Sequence, residues 1–597
     1  MKARVVEIDL NTRSVAEHSL DPRPWLGGRG LAVKLFTDRA DPRCDPLGPD
    51  NVMVIATSAL TGTAAPTAGR GHAVFKSPLT GSIGSANSGG RWAKVLKSAG
   101  CDALVIRGRA GSPVYISISE RVTIHEAADL WGQAVPEATD LLAGRHGGRE
   151  SSVLAIGPAG ERKVRFASLM NEKNRAYGRG GPGAVLGAKQ VKAIVVKGAA
   201  KTEVADPARF QDAVEQTRHV MKANPTTKRV LKDLGTAGLV HLINEMRMLP
   251  RRNFQNCMHD PKLIEQISGE TISAKILERA GGCWGCPILC QRHTRVGDHH
   301  GEGPEFETVV LMGPLLDIYD LEAITLGNYR ANELGLDTMS LGGTLAGAME
   351  LFEQGAISKT DAGGLDLRFG NTALYPEIVD RIAQREGIGD WLAEGSRRLA
   401  ERCERPEAAM QVKGLELPAY DPRGMLAQAL GYMTSPTGAC HLRGGYSIAL
   451  AFFGGIREVP RFSLRQAAMT CKNQQDFGII QDSLGVCRFT GYATGAEHWA
   501  RVYGAAIGEE VSRAELEQAA ERIATLERLF NVRAGFTRQD DDLPPRFKTE
   551  SISIGRRDRT ISEQDRERML DDYYQVRGWD RDGAPQAETL SKLRIGN

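Results

Sequence analysis

The sequence predicts an α+β protein, with a β-rich first domain over residues 1–203 and two mainly helical domains over 204–408 and 409–597. Three observations carry this expectation. Short strand-like runs (Arg4–Leu10, Val52–Ala56, Val114–Ser119 and Ala193–Lys197) alternate with Gly, Pro and Ser turns through the first domain. Near Ala205 the period changes, and Phe210, Val214, Thr217 and Met221 recur at helical spacing. Glycine is the third: 67 of 597 residues, concentrated before residue 190 and around the cysteine run at 283–290, where bare backbone can approach a bulky ligand.

Individual elements follow from local signals. Asp320–Leu334 reads as a helix stopped by Gly335, and Ser512 with Glu515 forms a capping box ahead of Leu516, Ala519, Ile523 and Leu526. The highly charged final stretch is expected to wrap the surface.

Composition narrows the class. Hydrophobic residues make up 41% and charged residues 25%, as in a globular protein with large cores. Lys plus Arg (76) nearly balances Asp plus Glu (73), and a net charge of +3 gives no reason to invoke nucleic acid or an anionic membrane. The first residues lack a signal-peptide pattern, and no apolar run reaches the roughly 18 residues of a membrane span. Ten cysteines, unevenly spaced in a long chain, do not make a secreted disulfide framework, so a cytoplasmic setting is expected.

Gly281-Gly-Cys-Trp-Gly-Cys-Pro-Ile-Leu-Cys290 places thiols at Cys283, Cys286 and Cys290, read as a turn leading into a helix. Three such thiolates can occupy corners of an iron–sulfur cubane, whose fourth ligand usually comes from elsewhere in the chain. Zinc also takes four sulfurs, but more often through two C-x2-C pairs. Cys487, closing Asp482-Ser-Leu-Gly-Val-Cys487, is one candidate among the other cysteines. Two glycine-rich segments, Ser77–Gly90 and Asn174–Gly183, could cradle phosphates on backbone N–H groups, with Arg70, Arg175 and Arg179 as partners. Neither is a Walker loop or a dinucleotide fingerprint: the Lys-Ser/Thr ending is missing, and Pro182 interrupts the second.

Together these segments resemble the tungsten-dependent aldehyde:ferredoxin oxidoreductases along essentially the whole chain. Leu26–Leu31, Leu60–Arg70, both glycine-rich segments, Leu249–Phe254, the cysteine run, Gly303–Thr308, Asn332–Asp337, Pro436–His441 and Asp482–Cys487 carry the resemblance, in order. It implies a β-rich base on which two molybdopterin dithiolenes hold one tungsten (or molybdenum), with helical domains closing over it. Cys283, Cys286, Cys290 and Cys487 would hold a 4Fe–4S cluster. Arg70, Gly89, Arg175, Gly178 and Arg179 would bind the cofactor. Asn332, Asp337 and Asp482, in two Asp-x-x-Gly-Leu-Cys/Asp-like segments, would meet the pterins. Asn87 and the Ala176 carbonyl match magnesium-binding positions between the cofactor phosphates.

Glu307 matches the family's general base and His441 its histidine, expected protonated to polarise a carbonyl. Glu305 is an alternative base, since on a strand it would share a face with Glu307. The substrate would be an aldehyde, and the electron acceptor ferredoxin or an iron–sulfur subunit in a homo- or hetero-oligomer.

The chain departs from the family pattern in three places. Asn332 brings an amide where the family has Asp. No histidine has Glu three residues before it, so the family's intersubunit iron site is not expected. Cys257 lies close enough to Arg252–Asn256 to be considered a tungsten ligand, as in relatives acting on aryl-CoA thioesters. A low-potential reductase of that kind, or a non-catalytic electron-transfer subunit, is the alternative.

Overall fold

The computed structural model describes residues 2–453 and 459–596. Its first region holds two six-stranded sheets. In spatial order one sheet runs Ser14–Leu20, Ala3–Asp9, Ala103–Arg107, Met53–Ala56, Gly71–Lys76 and Ile83–Ser88. The other runs Arg175–Tyr177, Leu169–Asn171, Ser151–Ala155, Val191–Lys197, Val114–Ile118 and Val122–Glu126. Each is antiparallel but for one parallel pair. All four strand runs anticipated from sequence are present.

Alternation along the strands decides what each face covers. Val6, Ile8, Met53 and Ile55 point toward the second sheet, where Val114, Ile116, Leu154 and Ile194 meet them. Val5, Val54 and Val105 point the other way, into a core completed by Trp499, Tyr503, Leu516, Ile523 and Phe530. Helix Gly28–Thr37 lies on this face, and the last third of the chain packs over it. Another core spans residues on both sides of 408, so that expected boundary falls inside continuous apolar packing.

Several helices begin and end as their caps dictate. Phe210, Val214, Thr217 and Met221 are the buried stripe of Pro207–Ala223. Asp320 accepts the Glu322 and Ala323 N–H groups at 3.0 and 3.1 Å, and Gly335, at φ 77°, ends Leu321–Leu334. Ser512 and Glu515 close their box ahead of Arg513–Arg533.

Two expectations are corrected. The cysteine run does not lead into a helix. It is the connection between antiparallel strands Leu277–Gly281 and Gln291–Val296, and the Gly281–Gln291 pair closes its neck. The charged C-terminal stretch does more than coat the surface. Met569, Leu570, Tyr573 and Tyr574 form a buried stripe on Glu563–Arg577, which packs against Leu464–Ser483. The acids and arginines around that stripe hide it in the composition.

Arg577 fastens this helix, donating to Asp476 at 2.6 Å, Gln475 at 2.7 Å and the Tyr573 hydroxyl at 3.0 Å, all buried. Removing one partner of such a pair typically costs about 3–5 kcal/mol. Arg577→Ala is therefore expected to speed hydrogen exchange across Leu464–Ser483 and Glu563–Arg577; unchanged protection would show that apolar packing alone holds the helix.

Candidate active site

The cysteine loop is tied to the first domain at three points. Trp284 N–H donates to the Gly90 carbonyl at 3.1 Å, and Thr67 N–H to the Gly285 carbonyl at 3.0 Å. The Thr67 hydroxyl in turn accepts the N–H of Cys487 at 3.0 Å, which brings a residue from the far end of the chain to the same place. Gly89 is the contact point: a Cβ there would stand 2.4 Å from the Cys283 sulfur and 3.0 Å from the Arg70 guanidinium, so no larger residue fits.

Burial pushes the Cys286 thiol up to about 11 and raises Cys290 and Cys487, and each of these three thiols also feels at least one other of the four. Among the described residues no three His, Cys, Asp or Glu side chains are grouped so as to hold one metal ion. None of the ten cysteines is in a disulfide.

Beside the thiols, the edge strands of the two sheets meet: Ile83–Ser88, carrying Asn87, and Arg175–Tyr177, carrying Ala176. The Arg70 guanidinium donates to the Asn87 side-chain oxygen and makes no ion pair among the described residues. Arg175 reaches Glu302 and Glu305 only at 3.5 and 3.4 Å, and its Nε is left without a hydrogen bond. Arg179 donates to the Ala439 and Glu416 carbonyls at 2.8 and 2.7 Å and lies 3.4 Å from Asp337. All three are deep in the molecule, yet each keeps accessible area, as do Gly178 and Asn87. They line an internal space. Cations held there with so little anionic compensation fit an anionic guest.

Asn332–Asp337 and Asp482–Cys487 occupy equivalent positions. Each ends a helix with a glycine in the left-handed region, Gly335 at φ 77° and Gly485 at φ 69°. Each glycine carbonyl accepts a backbone N–H of the first domain, Ser168 at 2.8 Å and Arg70 at 3.3 Å. Asp337 caps the next helix through the Met339 N–H. Asn332 sits half-buried on the last turn of its helix. Asp482 is the most heavily engaged: Arg443 bonds it directly, with Arg29 and Arg488 each at 3.3 Å. Burial works to raise its pKa, but those arginines hold it well below the usual carboxylate range.

Glu307 and His441, 134 positions apart in the chain, come together. His441 Nδ1 stands 3.4 Å from Glu307 Oε1, while Glu307 Oε2 accepts the Ala419 N–H at 2.8 Å. Neither Glu307 Oε1 nor His441 Nδ1 has a hydrogen-bond partner among the described residues. Burial raises Glu307 to about 7. Burial, and then Arg179, Arg488 and Arg443, push His441 well below its ordinary value, so the histidine is neutral rather than protonated as expected.

Glu305 is a second correction. Phe306–Leu311 is a helix with Glu305 at its N-cap, so two residues of separation turn the side chains roughly 200° apart. Glu305 instead accepts the Thr236 hydroxyl at 2.6 Å and faces Arg175. Cys257 is 2% exposed, with its sulfur donating to Asp421 at 3.3 Å. Burial and that carboxylate keep it a thiol.

Three tyrosines at the site gave no signal in the sequence. Tyr420 stacks on Phe306 (centroids 5.2 Å apart) and lies 5.8 Å from the His441 ring, with Tyr446 at 5.4 Å. The Tyr420 and Tyr446 hydroxyls are 3.0 Å apart, and Tyr446 also hydrogen-bonds Tyr492. Tyr446, Tyr492 and Arg488 belong to the lining of a cleft of about 650 Å³ that opens to solvent.

Buried arginines beside the cysteine loop, with Arg179 reaching electrostatically to a buried carboxylate–histidine pair, mark the candidate site of an enzyme. Comparison with known proteins says which kind. The family model for the N-terminal domain of aldehyde ferredoxin oxidoreductase matches residues 5–198, and that for its domains 2 and 3 matches 212–595. The chain is 42% identical to the tungsten-containing aldehyde ferredoxin oxidoreductase of Pyrococcus furiosus, over 99% of this chain and 98% of that protein. It is 28% identical to the WOR-like subunit of an aliphatic sulfonate oxidoreductase from the same organism, over 99% and 97%. Among solved structures it resembles the active site complex BamBC of benzoyl coenzyme A reductase, at a TM-score of 0.86 and 25% identity, over 100% of this chain and 98% of that one. The chain belongs to the aldehyde ferredoxin oxidoreductase family and is an oxidoreductase. No helix among the described residues is long and apolar enough to cross a membrane.

Glu307 should titrate inside the physiological range. Difference infrared spectroscopy is expected to show a carboxyl band converting to carboxylate with a midpoint near pH 7, absent from Glu307→Gln. A midpoint near the ordinary carboxylate value would mean that water reaches the group and screens it.

Proposed function

We propose that this enzyme oxidises an aldehyde to the carboxylic acid at a tungsten (or molybdenum) bis-molybdopterin centre, its electrons leaving through a 4Fe–4S cluster. The observation that carries the reading is the Glu307–His441 pair, desolvated, held 3.4 Å apart and within electrostatic reach of Arg179. Arg70, Arg175 and Arg179 would hold the cofactor phosphates, and Asn87 with the Ala176 carbonyl a magnesium ion between them, a hard cation suited to oxygen ligands. Gly178 leaves room for the cofactor and Gly89 lets the cysteine loop close up to Arg70, while Asn332, Asp337 and Asp482 would meet the pterin edges. Cys283, Cys286, Cys290 and Cys487 would hold the cluster. When bound, the metal centre supplies a two-electron acceptor and the cluster a one-electron outlet.

The chain's own groups do the rest. Glu307, with a pKa near neutrality, takes a proton from a water or from the aldehyde hydrate. Its Oε2 is fixed by the Ala419 N–H, which leaves Oε1 to receive that proton. Neutral His441 carries a single N–H; aimed at the substrate oxygen it polarises the carbonyl, and a dry site strengthens that contact. Phe306, Tyr420 and Tyr446 wall the pair, and the cleft beside Tyr446 gives substrate a way in. Tungsten ligation by Cys257, and the thioester-reductase reading that goes with it, finds no support in a sulfur already bonded to Asp421. A non-catalytic electron-transfer subunit would have no use for a buried carboxylate–histidine pair.

Because the base must be deprotonated, kcat/KM is expected to rise with pH to a plateau, with an acid limb near pH 7. Glu307→Gln should abolish aldehyde oxidation with tungsten and iron contents unchanged. His441→Phe should slow it by roughly 100- to 1,000-fold. Cys487→Ser should lose iron. Purified protein with four irons but neither tungsten nor molybdenum, or full activity in Glu307→Gln, would overturn the reading.

A further inference from the structure

The cysteine loop has a buried face toward the internal space and an open face toward solvent. Gly282, Gly285 and Pro287 are exposed and Trp284 is half-buried between them. Along one side of this open face runs a basic strip. From Thr217 to Lys232 the chain carries Arg218, Lys222, Lys228, Arg229 and Lys232 and no Asp or Glu, although Lys and Arg overall number 76 against 73 acids. The inward residues of the strip, Met221 and Leu231, pack on Ile288 of the cysteine loop, next to Cys286 and Cys290.

Polar contacts hold the strip to its place. Arg292 donates to the Lys232 carbonyl at 2.5 Å and to the Leu289 carbonyl at 2.9 Å. The Asn224 amide donates to the Tyr492 carbonyl at 2.9 Å. Arg218 donates to the Ala64 carbonyl at 2.7 Å, three residues from Thr67, whose N–H holds the Gly285 carbonyl. All five cations are exposed, and none makes an ion pair among the described residues. Upstream on the same helix, by contrast, Arg209 is paired with Glu510 at 2.6 Å. Asp233, just past the strip, is its nearest acid in sequence.

We propose that the open face of the cysteine loop and the strip Arg218–Lys232 form the docking surface for an acidic one-electron carrier protein, with Trp284 at its centre and the five cations as its rim. The inference rests on the proposed function. Oxidising one aldehyde with water yields a carboxylate, three protons and two electrons, so two oxidised carriers must each dock, accept one electron and leave. Such traffic suits a contact steered by charge and easily released: opposite potentials raise the encounter rate by about 10- to 1,000-fold at low salt, and the gain falls as salt screens it. A small aromatic centre inside a charged rim is the usual anatomy of such a contact.

The test compares wild-type holoenzyme with Lys228→Glu/Arg229→Glu/Lys232→Glu, using either a small viologen dye or an acidic iron–sulfur carrier protein as acceptor. Binding of the oxidised carrier, with no aldehyde present, is measured in parallel by titration calorimetry. The expected result is unchanged dye-coupled turnover with KM and Kd for the carrier raised about tenfold or more at low ionic strength, the difference disappearing at high salt. Lys228→Gln/Lys232→Gln should show a smaller effect of the same kind. Arg556→Glu/Arg557→Glu, on the hairpin Ile552–Arg559, should show none. A change in carrier KM and Kd below threefold, or an equal change from the hairpin variant, would overturn the docking surface. Absence of dye-coupled aldehyde oxidation in the wild type would instead overturn the underlying reading of the reaction.

Discussion

One buried carboxylate joins the parts of this enzyme. Asp482 engages Arg29 from the first domain, Arg443 from the segment that carries His441, and Arg488 next to Cys487. Arg29 is shared with Glu527, at 2.6 Å, on the helix that roofs the first sheet. Charges this deep are stable only as a set, because removing one leaves the others desolvated and unpaired. The set fixes how the first domain, the histidine segment and the Cys487 segment stand relative to one another. The Glu307–His441 pair and the approach of Cys487 to the first domain both depend on that alignment.

The same economy of charge explains how one cavity serves opposite needs. Arginines hold Asp482 ionised, while Glu307, whose nearest cationic influence is Arg179, stays near neutrality. His441 feels three arginines and is kept uncharged. Two carboxyl groups and an imidazole thereby reach different protonation states through placement alone.

Much of this was legible in the sequence, and the gaps have physical causes. The four anticipated strands of the first domain announce themselves as apolar runs because they lie inside their sheets, while edge strands such as Ser14–Leu20 and Ile83–Ser88 are polar in sequence. Helix limits at Asp320, Gly335 and Ser512 follow from capping chemistry within a few residues. The hairpin holding the cysteines did not show itself, because its strands Leu277–Gly281 and Gln291–Val296 are largely polar in sequence although most of the second is buried. Glu305 was misread for a related reason: Gly-Pro-Glu-Phe-Glu-Thr alternates like a strand, yet Glu305 caps a helix. The residues that meet only across the fold were the least visible. Tyr420 and Tyr446 lie 26 residues apart, and nothing at either position records the other. Arg29 and Glu527, 498 residues apart, are the extreme case.

That long reach bears on how the protein is made. The first sheet is complete once residue 107 has been synthesised, but the helices covering its Val5–Val54–Val105 face end at Arg533. At about 5–20 residues per second a nascent chain would therefore leave that face covered by Gly28–Thr37 alone for tens of seconds. Over that interval the ribosome-bound intermediate is a client for any factor that shields hydrophobic surface. The last helices to emerge act as the lid that ends its exposure.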